Sequence, residues 1–179
     1  MSIKVNENKS KLYTFWSIIA FLSITFIIIL VTIFVNYQPI ESYEDLSKSN
    51  MNLVGQEMFT RNQSEYYVYI YDSNFNNKID SKARELEPAV FNYFNFVKRY
   101  SKKENILKIY GLDVNYIENK NCLGSEDRFT NVRNFSDFKV KKSNLPVLVR
   151  IYQGQVDTVD ITVNDIQNEL QLAMDKGLN

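Results

Sequence analysis

The sequence contains no histidine and only one cysteine, Cys122, in 179 residues. Without an imidazole the chain cannot build a Ser-His-Asp or Cys-His catalytic centre, or a Cys/His zinc site. A single thiol also excludes an intrachain disulfide. Basic and acidic residues balance at 21 each, so the chain has no electrostatic footprint for nucleic acid. These absences predict a protein that is not an enzyme, binds no nucleic acid and holds no cofactor or metal ion.

The longest feature that is present is an apolar run over residues 12–35, which carries no charge and no proline. As a helix it would reach about 36 Å, enough to cross a hydrocarbon core of about 30 Å. Basic residues precede the run (Lys4, Lys9, Lys11) and acidic residues follow it (Glu41, Glu44, Asp45). Because basic flanks tend to stay in the cytoplasm, we predict a single-pass protein of the cell membrane with a cytoplasmic N-terminus. A cleaved signal peptide is the alternative, but it would have a shorter apolar core and a small-residue cleavage site.

The sequence beyond the run is long enough for one domain with its own core. We predict a cytoplasmic tail over residues 1–11, a transmembrane helix over 12–36, a linker over 37–43 and an extracytoplasmic domain over 44–179.

The first half of this domain shows a strand between two helical patterns. A loose helical spacing over residues 43–60 is interrupted by Ser49 and Asn50. The run YYVYIY over residues 66–71 has no polar alternation, which is typical of a central strand that is covered on both faces. A turn follows, and then a helix is predicted from residue 80 to about 100, with Pro88 inside it. The next strand, over residues 105–114, should pair in parallel with the first.

The second half ends in a hairpin and a helix. After a polar stretch over residues 115–135, strands are predicted over 147–152 and 156–161, joined through Gly154, with Asp157 and Asp160 on a charged edge. Thr162 and Asp165 have the spacing of a helix cap, and Gly177 is expected at the end of that helix.

This order of elements resembles the thioredoxin-like family, in particular its small membrane-tethered, extracytoplasmic, bacteriocin-accessory members. Residues 145–156, LPVLVRIYQGQV, are similar to the family's cis-proline strand and hairpin. The resemblance implies an α/β fold with a mixed sheet flanked by helices, and it places Pro146 at the cis-proline position. Redox-active members carry Cys-x-x-Cys at the start of the long helix, where the helix terminus activates the thiol. Neither residues 75–78 nor residues 80–83 contain a cysteine, so this chain cannot run a dithiol cycle alone.

The resemblance also implies where a partner would bind. An extended peptide would dock between the loop after the first strand and the segment before Pro146, so the candidate partner-binding residues are Phe75, Asn76, Asn77, Leu145 and Pro146. Asp72, Asn74, Asn76 and Asp80 imitate the spacing of a calcium loop, but Ala83 stands where the bidentate glutamate is needed. Cys122 is predicted to be a buried or incidental thiol.

Three functions remain open from the sequence. The leading hypothesis is a redox-inactive, membrane-anchored binding or scaffold component of a bacterial envelope assembly for export, secretion or conjugation. Its expected partners are the lipid bilayer, other membrane or envelope proteins and an extended peptide. The alternatives are a thiol-disulfide accessory that uses Cys122 with a partner's thiol, and a structural envelope domain without a peptide groove.

Overall fold

The computed structural model describes residues 3–36, 38–74 and 81–178. Its α-helices are Ile3–Asn36 (α1), Tyr43–Lys48 (α2), Ser81–Arg99 (α3) and Val163–Leu178 (α4). Its strands are Glu65–Tyr71 (β1), Lys108–Asp113 (β2), Leu123–Gly124 (β3), Val140–Lys141 (β4), Val147–Tyr152 (β5) and Gln155–Asp160 (β6). Short 3₁₀ helices lie at Gly55–Phe59, Lys120–Cys122 and Lys142–Asn144. The chain divides into two compact units, Met1–Pro39 and Ile40–Asn179.

The first unit contains one continuous helix, α1. Its segment Lys9–Ile33, 25 residues long, is the one helix in the described part of the chain that is long and apolar enough to cross a membrane. The hydroxyls of Thr14, Thr25 and Thr32 each donate to the backbone carbonyl four residues earlier, at 3.0, 2.9 and 2.8 Å. These three hydroxyls are therefore satisfied within the helix itself, as a hydrocarbon environment would require.

The second unit is an α/β domain built on a mixed four-stranded sheet with the order β2-β1-β5-β6. β1 pairs in parallel with β2, with Tyr66 opposite Lys108. β1 pairs antiparallel with β5, and β5 pairs antiparallel with β6. The predicted central strand, parallel pair and C-terminal hairpin are all confirmed.

The side chains of β1 explain why this strand shows no polar alternation. Tyr67, Tyr69 and Tyr71 pack into a core formed with α2, α3 and α4. The alternate residues Tyr66, Val68 and Ile70 belong to a second core on the other face. That second face is covered by the 3₁₀ helix Gly55–Phe59 and by the connector between β2 and β5, rather than by an α-helix of the described residues. Both faces of β1 are therefore buried, although helices pack on only one of them.

The first predicted helix of the domain is wrong beyond residue 48. The backbone of residues 51–53 runs along the edge of β2, where the Gly111 N–H donates to the Met51 carbonyl at 2.8 Å and the Leu53 N–H donates to the Gly111 carbonyl at 2.7 Å. Because the Met51 carbonyl and the Leu53 N–H are bonded to β2, they are not available for the hydrogen bonds of a longer helix. Ile40 and Tyr43, which fall in the predicted linker, are both buried in the domain core.

The C-terminal helix begins as its capping pattern predicts. The Asp165 N–H donates to the Thr162 hydroxyl at 3.2 Å, and that hydroxyl donates to the Asp165 carboxylate at 2.5 Å. The helix ends at Leu178, one residue beyond the predicted Gly177. A Cβ on Gly177 would lie only 2.9 Å from Cγ1 of Ile106, so this glycine allows α4 to pack closely on the segment before β2.

Candidate functional site at the carboxyl edge of the sheet

The predicted partner-binding segments meet at one edge of the sheet. β1 ends at Tyr71 opposite Asp113, the last residue of β2. Because β5 runs antiparallel to β1, the start of β5 lies at the same edge, with Val147 opposite Ile70. We call this edge, with residues 72–74, Asp113, Asn115 and residues 141–146, the carboxyl-edge site. In α/β sheets this is the edge at which ligands bind.

Two lysines connect the segments of the carboxyl-edge site. The Lys82 ammonium, in the first turn of α3, donates to the Asn144 carbonyl at 2.5 Å. The Lys142 ammonium lies 3.4 Å from the Asp72 carboxylate. The segment after β1, the start of α3 and the turn before β5 are thus linked. The predicted partner-binding residues Phe75, Asn76 and Asn77 lie outside the described part of the chain, as does Asp80, whereas Asp72 and Asn74 of the calcium-like spacing are described.

Leu145 and Pro146 are joined by a cis peptide bond, and both are buried. The Leu145 side chain is 4% exposed and belongs to the second core. Its N–H donates to the Lys142 carbonyl at 3.3 Å, so an incoming peptide would have to replace this long contact to reach the Leu145 amide. What the site offers to solvent is the turn in front of them, where Lys142 and Ser143 are exposed.

Asp127 holds that turn in place. One of its carboxylate oxygens accepts from the Lys141 backbone N–H and the other from the Asn144 side-chain amide, both at 2.7 Å. A carboxylate that binds both ends of a four-residue turn fixes its conformation. Sequence reasoning missed this residue because it lies in the polar stretch, 14 positions before the nearer of its two partners.

Asp113 is the buried centre of the site. Its carboxylate is 1% exposed and accepts five hydrogen bonds from three residues. The backbone N–H and side-chain amide of Asn115 donate at 3.0 Å each, the Ser73 N–H and hydroxyl donate at 3.2 and 2.5 Å, and the Ser47 hydroxyl donates at 3.3 Å. These donors satisfy the buried carboxylate, and among the described side chains no cation is in contact with it. Asp113 therefore ties the segment after β1 to α2 and to the connector.

Sequence reasoning also missed Asp113, since an aspartate at the end of a strand is commonly read as a turn residue. The available signal was that two parallel strands both end in an aspartate or are followed by one, Asp72 after β1 and Asp113 in β2.

Cys122 lies away from these groups, fully buried in the second core. The prediction of a buried thiol is confirmed. Burial raises the pKa of the Cys122 thiol to about 12, although Lys139 lowers it slightly. At neutral pH the sulfur is therefore protonated and has no path to a partner's disulfide in the folded domain.

We expect alkylation of Cys122 to be limited by opening of the domain. Native full-length protein in detergent should label with a maleimide at least about 100-fold more slowly than glutathione at neutral pH, because the Cys122 thiol is neither exposed nor ionised. Denaturation in urea should bring the rate to that of a free thiol. A native rate equal to that of glutathione would contradict the buried position, and a rate above that of glutathione would favour the thiol-accessory hypothesis.

No protein-family model and no curated protein matches the chain. The fold and the geometry of the carboxyl-edge site therefore carry the functional argument.

Proposed function

We propose that the protein is a membrane-anchored, redox-inactive thioredoxin-like domain that binds a partner at its carboxyl-edge site. The observation that supports this proposal most directly is that the single thiol lies apart from the carboxyl-edge site. The site combines the end of β1, the start of α3 and a cis-Pro segment before β5, while the single thiol is buried in the second core.

The strand order supports the thioredoxin-like assignment. A parallel β1/β2 pair, with β5 antiparallel beside β1 and β6 at the outer edge, is the arrangement that the resemblance implies. The departure is the second face, where an irregular connector replaces a helix.

Membrane anchoring is the second part of the proposal. Lys9–Ile33 has the length and composition of a membrane span, and its threonine hydroxyls are satisfied within the helix. We propose that this helix remains attached to the domain with the N-terminus in the cytoplasm, so that the domain works outside the cell membrane. Such a domain would serve a bacterial export, secretion or conjugation assembly by binding one of its proteins or an extended peptide.

The exposed turn before β5 allows a direct test in native membranes. A photo-crosslinking residue at Ser143 should capture an envelope protein or peptide, because Ser143 lies at the carboxyl-edge site. The matched control is the same residue at Gln153, which is also exposed but lies in the hairpin turn at the opposite edge. Capture from both positions alike, or from neither, would count against partner binding at this site.

The same samples test the anchor independently. The protein should remain with the membrane pellet after carbonate extraction, whereas a variant that lacks residues 1–37 should be soluble. Extraction of the full-length protein by carbonate would contradict the anchor while leaving the capture result to be judged separately.

A further inference from the structure

The edge of the sheet opposite the carboxyl-edge site is strongly basic. Residues 98–108, from the end of α3 to the start of β2, contain five basic residues and one acidic residue, Glu104. Lys102 and Lys103 are exposed, and together with Lys108 they line a surface cleft of about 460 Å³ beside residues 63–65. We call Lys98, Arg99, Lys102, Lys103 and Lys108 the amino-edge cluster. Because the whole chain has no net charge, the rest of the molecule is correspondingly acidic.

The chain enters the domain next to this cluster. The Asn95 side chain, on α3, accepts from the Ile40 N–H at 2.8 Å and donates to the Ile40 carbonyl at 2.9 Å. Asn95 lies about one helical turn before Arg99. Asn95 thus binds both backbone groups of Ile40, the first residue of the domain, and holds it beside the amino-edge cluster.

The connection to the candidate span is short. Six residues separate Ile33, where that span ends, from Ile40. A fully extended chain of this length reaches at most about 25 Å, and this limit holds for any orientation of the domain. If α1 crosses the membrane, as the proposed function requires, the amino-edge cluster stays within roughly 30 Å of the end of the span and can reach the headgroups. Anionic lipid surfaces attract Lys and Arg side chains at short range, within about a Debye length.

Glu41, next to Ile40, and Glu104 reduce the net charge of this region, but three other acidic residues nearby lie elsewhere or have a partner. Glu44 and Asp45 lie on α2, which leads toward the other edge of the sheet, where the Ser47 hydroxyl donates to Asp113. Glu65 is engaged by the Arg150 guanidinium.

We propose that the amino-edge cluster contacts the anionic phospholipid headgroups of the membrane that α1 spans. This inference rests on the proposed membrane anchor. It adds an orientation: the carboxyl-edge site, at the other ends of the parallel strands, is left open for a partner.

Lipid contact can be measured with the full-length protein in nanodiscs. A fluorophore is attached to Ser101→Cys, which is exposed inside the cluster, while the buried Cys122 stays unlabelled. The nanodiscs contain phosphatidylcholine with or without phosphatidylglycerol, and a small share of the lipids carries a nitroxide on the headgroup. We expect quenching to rise with phosphatidylglycerol, to decline at high salt, and to stay low for a fluorophore at Ser143→Cys.

Charge variants identify the residues responsible. K102E/K103E should lower the ratio of contacting to free domain by about tenfold or more, since each lysine contributes separately to the attraction. K102R/K103R should retain the contact. The matched control is K120E/R128E, which makes the same charge change at two exposed basic residues of the connector, outside both the cluster and the carboxyl-edge site, and should leave quenching unchanged.

Three results would overturn the inference. Equal quenching with and without phosphatidylglycerol would show that the cluster does not bind anionic lipid and would favour an acidic polypeptide as its partner. Quenching that K102E/K103E leaves unchanged would assign any lipid contact to other residues. Failure of the protein to enter nanodiscs at all would remove the anchor and this inference together, so the two failures are distinguishable.

Discussion

Replacing Asn119 by alanine is expected to lower the free energy of unfolding by about 3–4 kcal/mol, because three buried backbone groups lose their hydrogen-bond partner. Asn119 is completely buried. Its side-chain oxygen accepts from the Gly55 N–H at 2.6 Å, and its amide donates to the Leu53 and Asp113 carbonyls at 3.1 and 2.8 Å. One side chain therefore joins the segment before β1, the end of β2 and the connector.

The measurement is thermal or urea unfolding of the full-length protein in detergent, followed by near-UV circular dichroism of the buried tyrosines. The unfolding temperature of Asn119→Ala should fall by roughly 10 °C or more. Asn121→Ala, an exposed asparagine two residues away, is the control and should shift the free energy by less than about 0.5 kcal/mol. If the two variants unfold alike, the connector is held by contacts other than those of Asn119.

Replacing Asp113 should have a comparable effect on stability and a larger one on the carboxyl-edge site. Asp113→Ala leaves the Ser73 and Asn115 donors without their acceptor, at a cost of about 3 kcal/mol. Asp113→Asn keeps the shape and one oxygen, and the Ser73 hydroxyl can rotate to accept from the new amide, so about half of the loss should be recovered. An exposed aspartate of the connector, Asp137, provides the control substitution to alanine.

Capture from Ser143 shows whether Asp113 is more than a core residue. In membranes at a temperature where Asp113→Ala is still folded, we expect capture to fall several-fold. The reason is that Ser73, in the segment after β1, loses both of its hydrogen bonds to Asp113 and its link through that carboxylate to Ser47. Full capture by the folded Asp113→Ala variant would restrict this residue to a structural role and would move the binding surface away from residues 72–74.

The parts of the fold that could be predicted depend on local patterns. The uninterrupted apolar run of β1 required two covered faces, and the structure supplies both. The turn at Gln153-Gly154, where both residues adopt positive φ angles of 49° and 71°, was marked by its glycine and by the strands on either side. The cap at Thr162 was likewise visible in residues three positions apart.

The parts that could not be predicted depend on contacts distant in sequence. The path of the connector is set by Asn119, which binds Gly55 from 64 positions away, and by Asp127. The helical spacing over residues 43–60 was misleading because the backbone of residues 51–53 is hydrogen-bonded to the edge of β2. No pattern in the neighbouring sequence indicates that pairing. Polar residues in a connector give no signal of which backbone groups they will satisfy.

The two ends of the parallel strands differ in charge. One edge carries a carboxylate network and an exposed turn before a cis-Pro strand, and the other carries five basic residues beside the entry point of the chain. Under the proposed function the first edge binds the partner and the second faces lipid. Neither edge contains the thiol.

Capture from Ser143 in native membranes, compared between the natural chain and Cys122→Ser, tests the proposed function most directly. If the domain binds without sulfur chemistry, both proteins should capture the same partner in the same yield, and treatment of the membranes with a reducing agent before irradiation should not lower that yield. Loss of capture in a folded Cys122→Ser variant, or loss of the natural chain's capture after prior reduction, would contradict a redox-inactive binding domain.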